Sequence, residues 1–220
     1  MAILEYCWSP DRVLAMNVHL LLHPETVVQQ WFEQQVGSLG STPHGSGSDS
    51  SAIAGAMKKK LTHTRNSLPE KTRIEITALL QERLSDSIDL MLQAKQAHWN
   101  VKGPNFIALH ELFDKVYIET GGYVDVIAER IVQLGGIAQG TIRVAAKKSS
   151  LPEYPLDITS CKKHVAELAH AIAFYGELIR KAIALSTHLK DADTADIFTQ
   201  VSRGADANLW FVEAHEQSEK

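Results

Sequence analysis

Cysteine is almost missing from this chain: 220 residues contain two, Cys7 and Cys161, far apart. That excludes a disulfide framework and a cysteine-rich metal site, and it fits a reducing cytosol. No uninterrupted apolar run reaches the roughly 18 residues of a membrane-spanning helix. Proline is scarce, seven in all, and none interrupts the stretch from His110 to Glu129, so a helix there has no breaker. A dominant charge is missing too. Residues 1–57 hold five acids (Glu5, Asp11, Glu25, Glu33, Asp49) and one base (Arg12), against 26 acids and 22 bases in the whole chain. The remainder therefore carries equal numbers of each and is not a globally basic, DNA-seeking body.

The first 57 residues differ from the rest. Val13–Leu22 is apolar, but Glu5 and Asp11 precede it and no base lies before Arg12. A secretory signal wants a basic start, so this is a poor one. Gly37–Ala56 is rich in Gly, Ser and Thr and reads as a flexible linker. Met57-Lys58-Lys59-Lys60 looks like a natural start. The leading expectation is that 1–56 derive from an over-extended start site. A genuine appendage is the alternative, and a signal peptide the third. The expected layout is an N-terminal extension over 1–57, a basic arm over 58–67 and one domain over 68–217.

Within that domain the apolar periodicity is helical throughout, with no convincing strand, so the fold class is all-α. A first helix is expected from Pro69 to Asn100, with Ser67 as a candidate cap. Its core stripe would be Ile76, Leu79, Leu80, Leu84, Ile88, Met91 and Leu92, ended by Gly103-Pro104. A second spans about 105–134 and stops at Gly135-Gly136. A short helix is expected near 141–147. Two more long helices follow, from about Ile158 to Leu189 and from Ala192 to Glu216. Four long helices make a bundle the natural architecture.

Chemistry concentrates between His98 and Glu129. His98, His110, Asp114, Asp125 and Glu129 stand in otherwise apolar, helix-patterned sequence. Imidazole with carboxylate is a ligand mix that suits iron. On a helix, Asp114, Asp125 and Glu129 lie about 40°, 60° and 100° from His110, so the four share one stripe. Asp114 and Asp125 are nevertheless about 16 Å apart along the axis, while a first-row metal holds its ligands at only about 2 Å. One helix cannot bring both pairs to one ion. Two copies packed antiparallel about a two-fold axis near Glu119–Thr120 could, because His110 and Asp114 of one would face Asp125 and Glu129 of the other. Gly121 and Gly122 lie near that midpoint, and mid-helix glycine costs about 1 kcal/mol each. Close helix approach or a local kink would each account for them.

Two longer patterns carry a resemblance. His98-Trp99-x-Val101-x-Gly103, five residues, Leu109-His110, three residues, Asp114 resembles the first signature of the Dps family of mini-ferritins (DNA-binding proteins from starved cells). Val124-Asp125-x-Ile127-Ala128-Glu129-Arg130, three residues, Leu134-Gly135-x-x-Ala138 resembles the second. The likeness extends from about Leu68 to His215 and includes Tyr154-Pro155-Leu156-Asp157 and Asp193-Thr194-Ala195-Asp196-Ile197. It implies a ferritin-like four-helix bundle with a long crossover between the second and third long helices, assembled as a hollow dodecamer. It also implies ferroxidase activity: ferrous iron oxidised at an inter-subunit site, usually with hydrogen peroxide, and ferric mineral stored inside. Several members bind DNA. A cytoplasmic, nucleoid-associated protein of oxidative-stress defence would follow.

Each residue also has a plainer role. His98 could be a helix-terminal histidine favoured by the dipole, and His110/Asp114 an exposed i, i+4 pair. Asp125 and Glu129 could be a surface acidic pair relieved by Arg130. Asp114 could orient a histidine rather than bind metal. Trp99 is expected in the core; the resemblance would make it a radical trap. Asp191, Asp193 and Asp196 would cap the last helix, and by resemblance would line a pore that admits iron. Glu167 and His170 form one Glu-x-x-His match, read as an exposed pair. Di-iron enzymes of larger ferritin-like type need a second, and Glu129 is followed three residues later by Val132. Lys58, Lys59, Lys60 and Arg65 form a basic arm without interleaved aromatics, so any DNA contact would be sequence-independent. The reading adopted is an iron-oxidising, iron-storing mini-ferritin that protects DNA. A DNA-compacting structural protein with a vestigial ferroxidase site is the alternative.

Overall fold

The computed structural model of the chain describes residues 61–217. The extension, the linker, the start at Met57 and Lys58, Lys59 and Lys60 all lie outside the described residues. Among the described residues five helices form: α1 (Glu70–Asn100), α2 (Phe106–Gln133), α3 (Ile142–Lys148), α4 (Cys161–His188) and α5 (Ala192–Glu213). Helix α1 packs along α2, and α4 along α5; contacts between α1 and α4 and between α2 and α5 close a four-helix bundle. The long crossover between α2 and α4 carries the short α3, which lies on α1.

The core is apolar and fully enclosed, with Phe113, Tyr175, Phe198, Leu80, Leu84 and Ile127 among its largest members. Each such side chain is worth about 1.5–3 kcal/mol on burial. Exposed pairs such as Lys71–Glu75, at 4.0 Å, contribute under about 1 kcal/mol. Core packing therefore holds the bundle together. The Tyr175 hydroxyl finds its partner in Ser87 Oγ at 2.7 Å, so the polar end of a buried ring is satisfied and α4 is tied to α1.

Three local expectations need correction. Helix α1 starts at Glu70 with Pro69 in the capping position, not Ser67, and no side chain caps it; Asn66 Oδ1 instead accepts from Leu68 N. Met91 and Leu92 leave the core stripe, because at that level the buried side of α1 is Leu90, Ala94 and Ala97. Trp99 is not a core residue. It is 64% exposed, two residues beyond buried Ala97. Arg65 belongs to a segment that is anchored to the bundle, since Thr62 N donates to Gly135 O at 2.7 Å. Gly135 has φ +88°, and a Cβ there would collide with the Thr62 carbonyl, so this turn needs glycine.

Candidate metal centre

The α1–α2 turn brings the two histidines together. Val101 leaves the helix in an extended conformation, and Gly103 turns the chain at φ +138°, a region that disfavours side chains. His98 in the last turn of α1 thereby meets His110 in α2. Their rings stack with centroids 3.6 Å apart. His98 Nδ1 lies 2.7 Å from His110 O, and His110 Nδ1 lies 2.9 Å from His98 O. A carbonyl oxygen can only accept, so both Nδ1 atoms carry the proton and donate. In the neutral imidazole this tautomer puts the free electron pair on Nε2, the form a metal requires.

Asp114 lies one turn beyond His110, its Oδ1 4.0 Å from His98 Nδ1. The backbone carbonyls, not Asp114, orient the two imidazoles. Its direct partner is Lys95, three residues before His98 on α1, which ion-pairs with it and also lies over the Tyr117 ring at 4.7 Å. The Lys95 hydrogen bond holds the Asp114 carboxyl below the usual carboxylate range. Reading the sequence for ligands missed Lys95, although the helical repeat places it near His98.

Asp125 and Glu129 are exposed, further along α2. Among the described residues, no three His, Cys, Asp or Glu side chains gather closely enough within one subunit to hold a metal. Helix α2 runs without interruption through Gly121 and Gly122, and a Cβ on Gly122 would meet nothing within 4 Å. The same exposed stripe carries large apolar residues: Ile107, Ile118 and Val132 are 62%, 63% and 59% exposed.

Arg130 does not lie beside Asp125 and Glu129 on that face. It is buried and turned towards α5, where Nη2 meets Asp191 Oδ1 at 2.8 Å and Nε donates to Thr194 Oγ1 at 2.9 Å. Asp191, 2% exposed, also accepts from Thr194 N and Oγ1. Both its oxygens serve the cap and the ion pair, so it presents no carboxylate to the exterior. Of the three acids considered for a pore, only Asp193 and Asp196 are exposed. His170 is exposed and Glu167 half-buried.

The chain matches a ferritin-like domain model over residues 77–219. The chain is 45% identical over 157 residues to the DNA protection during starvation protein of Agrobacterium fabrum, covering 71% of this chain and 97% of that one. Among solved structures it resembles Mycobacterium smegmatis Dps, with TM-score 0.68 and 34% identity over 71% of this chain and 96% of that one. DpsC from Streptomyces coelicolor superposes with TM-score 0.70 and 27% identity, covering 73% and 94%. With this helical architecture and these relatives, the chain belongs to the Dps family of mini-ferritins.

Proposed function

We propose that this protein is a ferroxidase whose iron site is completed by a second copy of itself. The observation that carries the reading is the reciprocal pairing of His98 and His110 through Nδ1, which leaves Nε2 of each ring for a metal, while the described residues of one subunit gather no set of three ligands. An antiparallel copy of α2 about the Glu119–Thr120 midpoint supplies Asp125 and Glu129. The same axis sets Ile107 against Val132 and Ile118 against Gly121. These exposed apolar residues lie at about 60°, 40° and 80° on the ligand stripe for Ile107, Val132 and Ile118. Burying each adds about 1.5–3 kcal/mol, enough to offset the glycines.

Iron is the substrate. Two ferrous ions each give one electron to hydrogen peroxide; its O–O bond breaks, two protons are taken up, and two waters form. His98 and His110 hold ferrous iron through Nε2. Asp114, Asp125 and Glu129 supply anionic oxygens that favour the ferric state. Asp193 and Asp196 draw cations towards the shell interior, where ferric mineral accumulates. Oxidising and storing iron protects DNA, the role in the name of the Agrobacterium relative. A dodecameric shell in the cytoplasm is the setting, and Lys58, Lys59 and Lys60 are the basic contacts for DNA.

Co-expression tests the shared site. One pool carries Asp125→Ala with Glu129→Ala, the other His98→Ala with His110→Ala. Each alone should be inactive. Random mixed dimers regain one intact site, so about a quarter of the wild-type oxidation rate should return. Full activity of either pool alone would sink the shared-site reading.

One observation favours the second reading, a DNA-compacting protein with a weak site: Lys95 already engages Asp114. Optical detection of ferric iron after adding ferrous iron and peroxide separates the two.

A further inference from the structure

Behind the α1–α2 turn lies a buried histidine that the iron chemistry does not use. His164, in the first turn of α4, is 0% exposed. Its Nδ1 lies 2.7 Å from the hydroxyl of Tyr154, itself buried in the crossover, and the two rings stack with centroids 6.1 Å apart. Burial pushes the Tyr154 phenol above its ordinary range, so the hydroxyl keeps its hydrogen at neutral pH. The backbone of Asn100 and of Ile158 reaches the imidazole without satisfying Nε2, which has no well-formed partner. Asn100 is the last residue of α1, two beyond His98.

The neighbouring backbone is clamped at the same place. Lys102 N donates to Thr159 O at 2.8 Å, and Cys161 N donates to Lys102 O at 3.1 Å. Cys161 Sγ sits 3.0 Å from where a Cβ on Gly103 would lie. The turn that aims His98 at His110 therefore rests on the start of α4 and on the crossover, not on α1 and α2 alone. His164 reaches the end of α1 at the backbone of Asn100 and is tied to Tyr154.

We propose that the Tyr154–His164 pair is the positioning element of the iron site: it sets the α1–α2 turn and through it the distance and stacking of His98 and His110. This rests on the reading that these two histidines bind iron. The pair's side-chain hydrogen bond is internal, Tyr154 to His164, so it would act on the site through geometry. A displacement of the turn by a fraction of an ångström would lengthen the two reciprocal hydrogen bonds and misdirect both Nε2 atoms.

The test compares His164→Leu, His164→Asn, His164→Gln and Tyr154→Phe with wild type and with His98→Ala, each as the assembled protein. Asparagine places an amide where Nδ1 of histidine lies; glutamine places it nearer Nε2. Half-saturating Fe(II) in peroxide-driven oxidation is measured at a temperature where every variant retains full helicity, alongside thermal midpoints. The expectation is that half-saturating Fe(II) rises about tenfold in His164→Leu, His164→Gln and Tyr154→Phe, and stays near wild type in His164→Asn. A purely structural role would lower the thermal midpoint and leave iron affinity of the folded protein unchanged, which overturns the proposal. Equal weakening by asparagine and leucine overturns the assignment to Nδ1. If His164→Leu does not assemble, Tyr154→Phe, which removes a single oxygen, decides alone. Wild type that oxidises no iron, or His98→Ala that oxidises it normally, defeats the underlying site reading instead.

Discussion

The imidazoles of His98 and His110 each donate Nδ1–H to the other's backbone carbonyl, over 2.7 and 2.9 Å. Two residues twelve apart thus set each other's tautomer with no other side chain involved. A histidine–carboxylate pair would depend on the carboxylate's ionisation; a carbonyl acceptor does not titrate. In the proposed iron site, the neutral rings would therefore present Nε2 outward before iron binds.

That pairing has a spectroscopic consequence. Nitrogen chemical shifts of the iron-free protein at neutral pH should show the Nδ1–H tautomer for both rings, with Nε2 bare. Adding a diamagnetic divalent ion should then move Nε2 and leave Nδ1 protonated. An Nε2–H tautomer at either residue would contradict the arrangement.

If Asp114 is an iron ligand as proposed, Lys95, which ion-pairs with it, would compete with the metal. Replacing it by glutamine should tighten Fe(II) binding severalfold at most, since the Asp114 side chain is more than a third open to solvent and the pair is screened. Unchanged or weaker binding by Lys95→Gln in calorimetric titration would show that the pair does not oppose the metal.

Arg130 and Asp191 form a buried ion pair between α2 and α5, each side chain less than a tenth exposed. Removing one partner strands the other charge, so Asp191→Ala should cost about 3–5 kcal/mol. The double variant Arg130→Met/Asp191→Ala should recover part of that loss. Asp193→Asn, by contrast, should be near neutral for stability. Strictly additive single and double losses in denaturant unfolding would argue against coupling.

Burial pushes His164 below its ordinary pKa near 6.5. The unfolded chain then takes up its proton first as pH falls. Its contribution to stability is complete above about 6.5 and is lost as pH drops through the lower, folded value. The glutamate and aspartate at positions 82 and 86 are raised by burial and act in the opposite direction, so the comparison must be between proteins that differ only at His164. His164→Asn should lose stability less steeply than wild type between pH 6.5 and 5. Identical slopes would remove His164 from the acid response.

On the proposed reading, any DNA contact would come from the basic arm. The triple variant Lys58→Ala/Lys59→Ala/Lys60→Ala should abolish retardation of plasmid DNA and leave iron oxidation unchanged. A protein starting at Met57 loses the acidic extension and should bind DNA more tightly than the full chain at equal salt. Equal binding by all three forms would exclude the arm.

Periodicity alone was enough for the helices, because an amphipathic stripe is a local property. It set the bounds of α1 and α2 within a residue or two. It also put His110, Asp114, Asp125 and Glu129 on one stripe about 16 Å long between Asp114 and Asp125. What the repeat could not show is which faces of different helices meet. Lys95 reaches Asp114 from another helix. Arg130, placed by sequence near Glu129, turns inward because α5 presents Asp191 and Thr194 to it. Trp99 stays outside because the core at its level is already closed by Ala94 and Ala97. His164 passed unnoticed because its partners, Tyr154 and the end of α1, come from the crossover and from a helix more than sixty residues away. Such meetings depend on the packing of whole helices, a collective result of the core, and only the tertiary structure decides them.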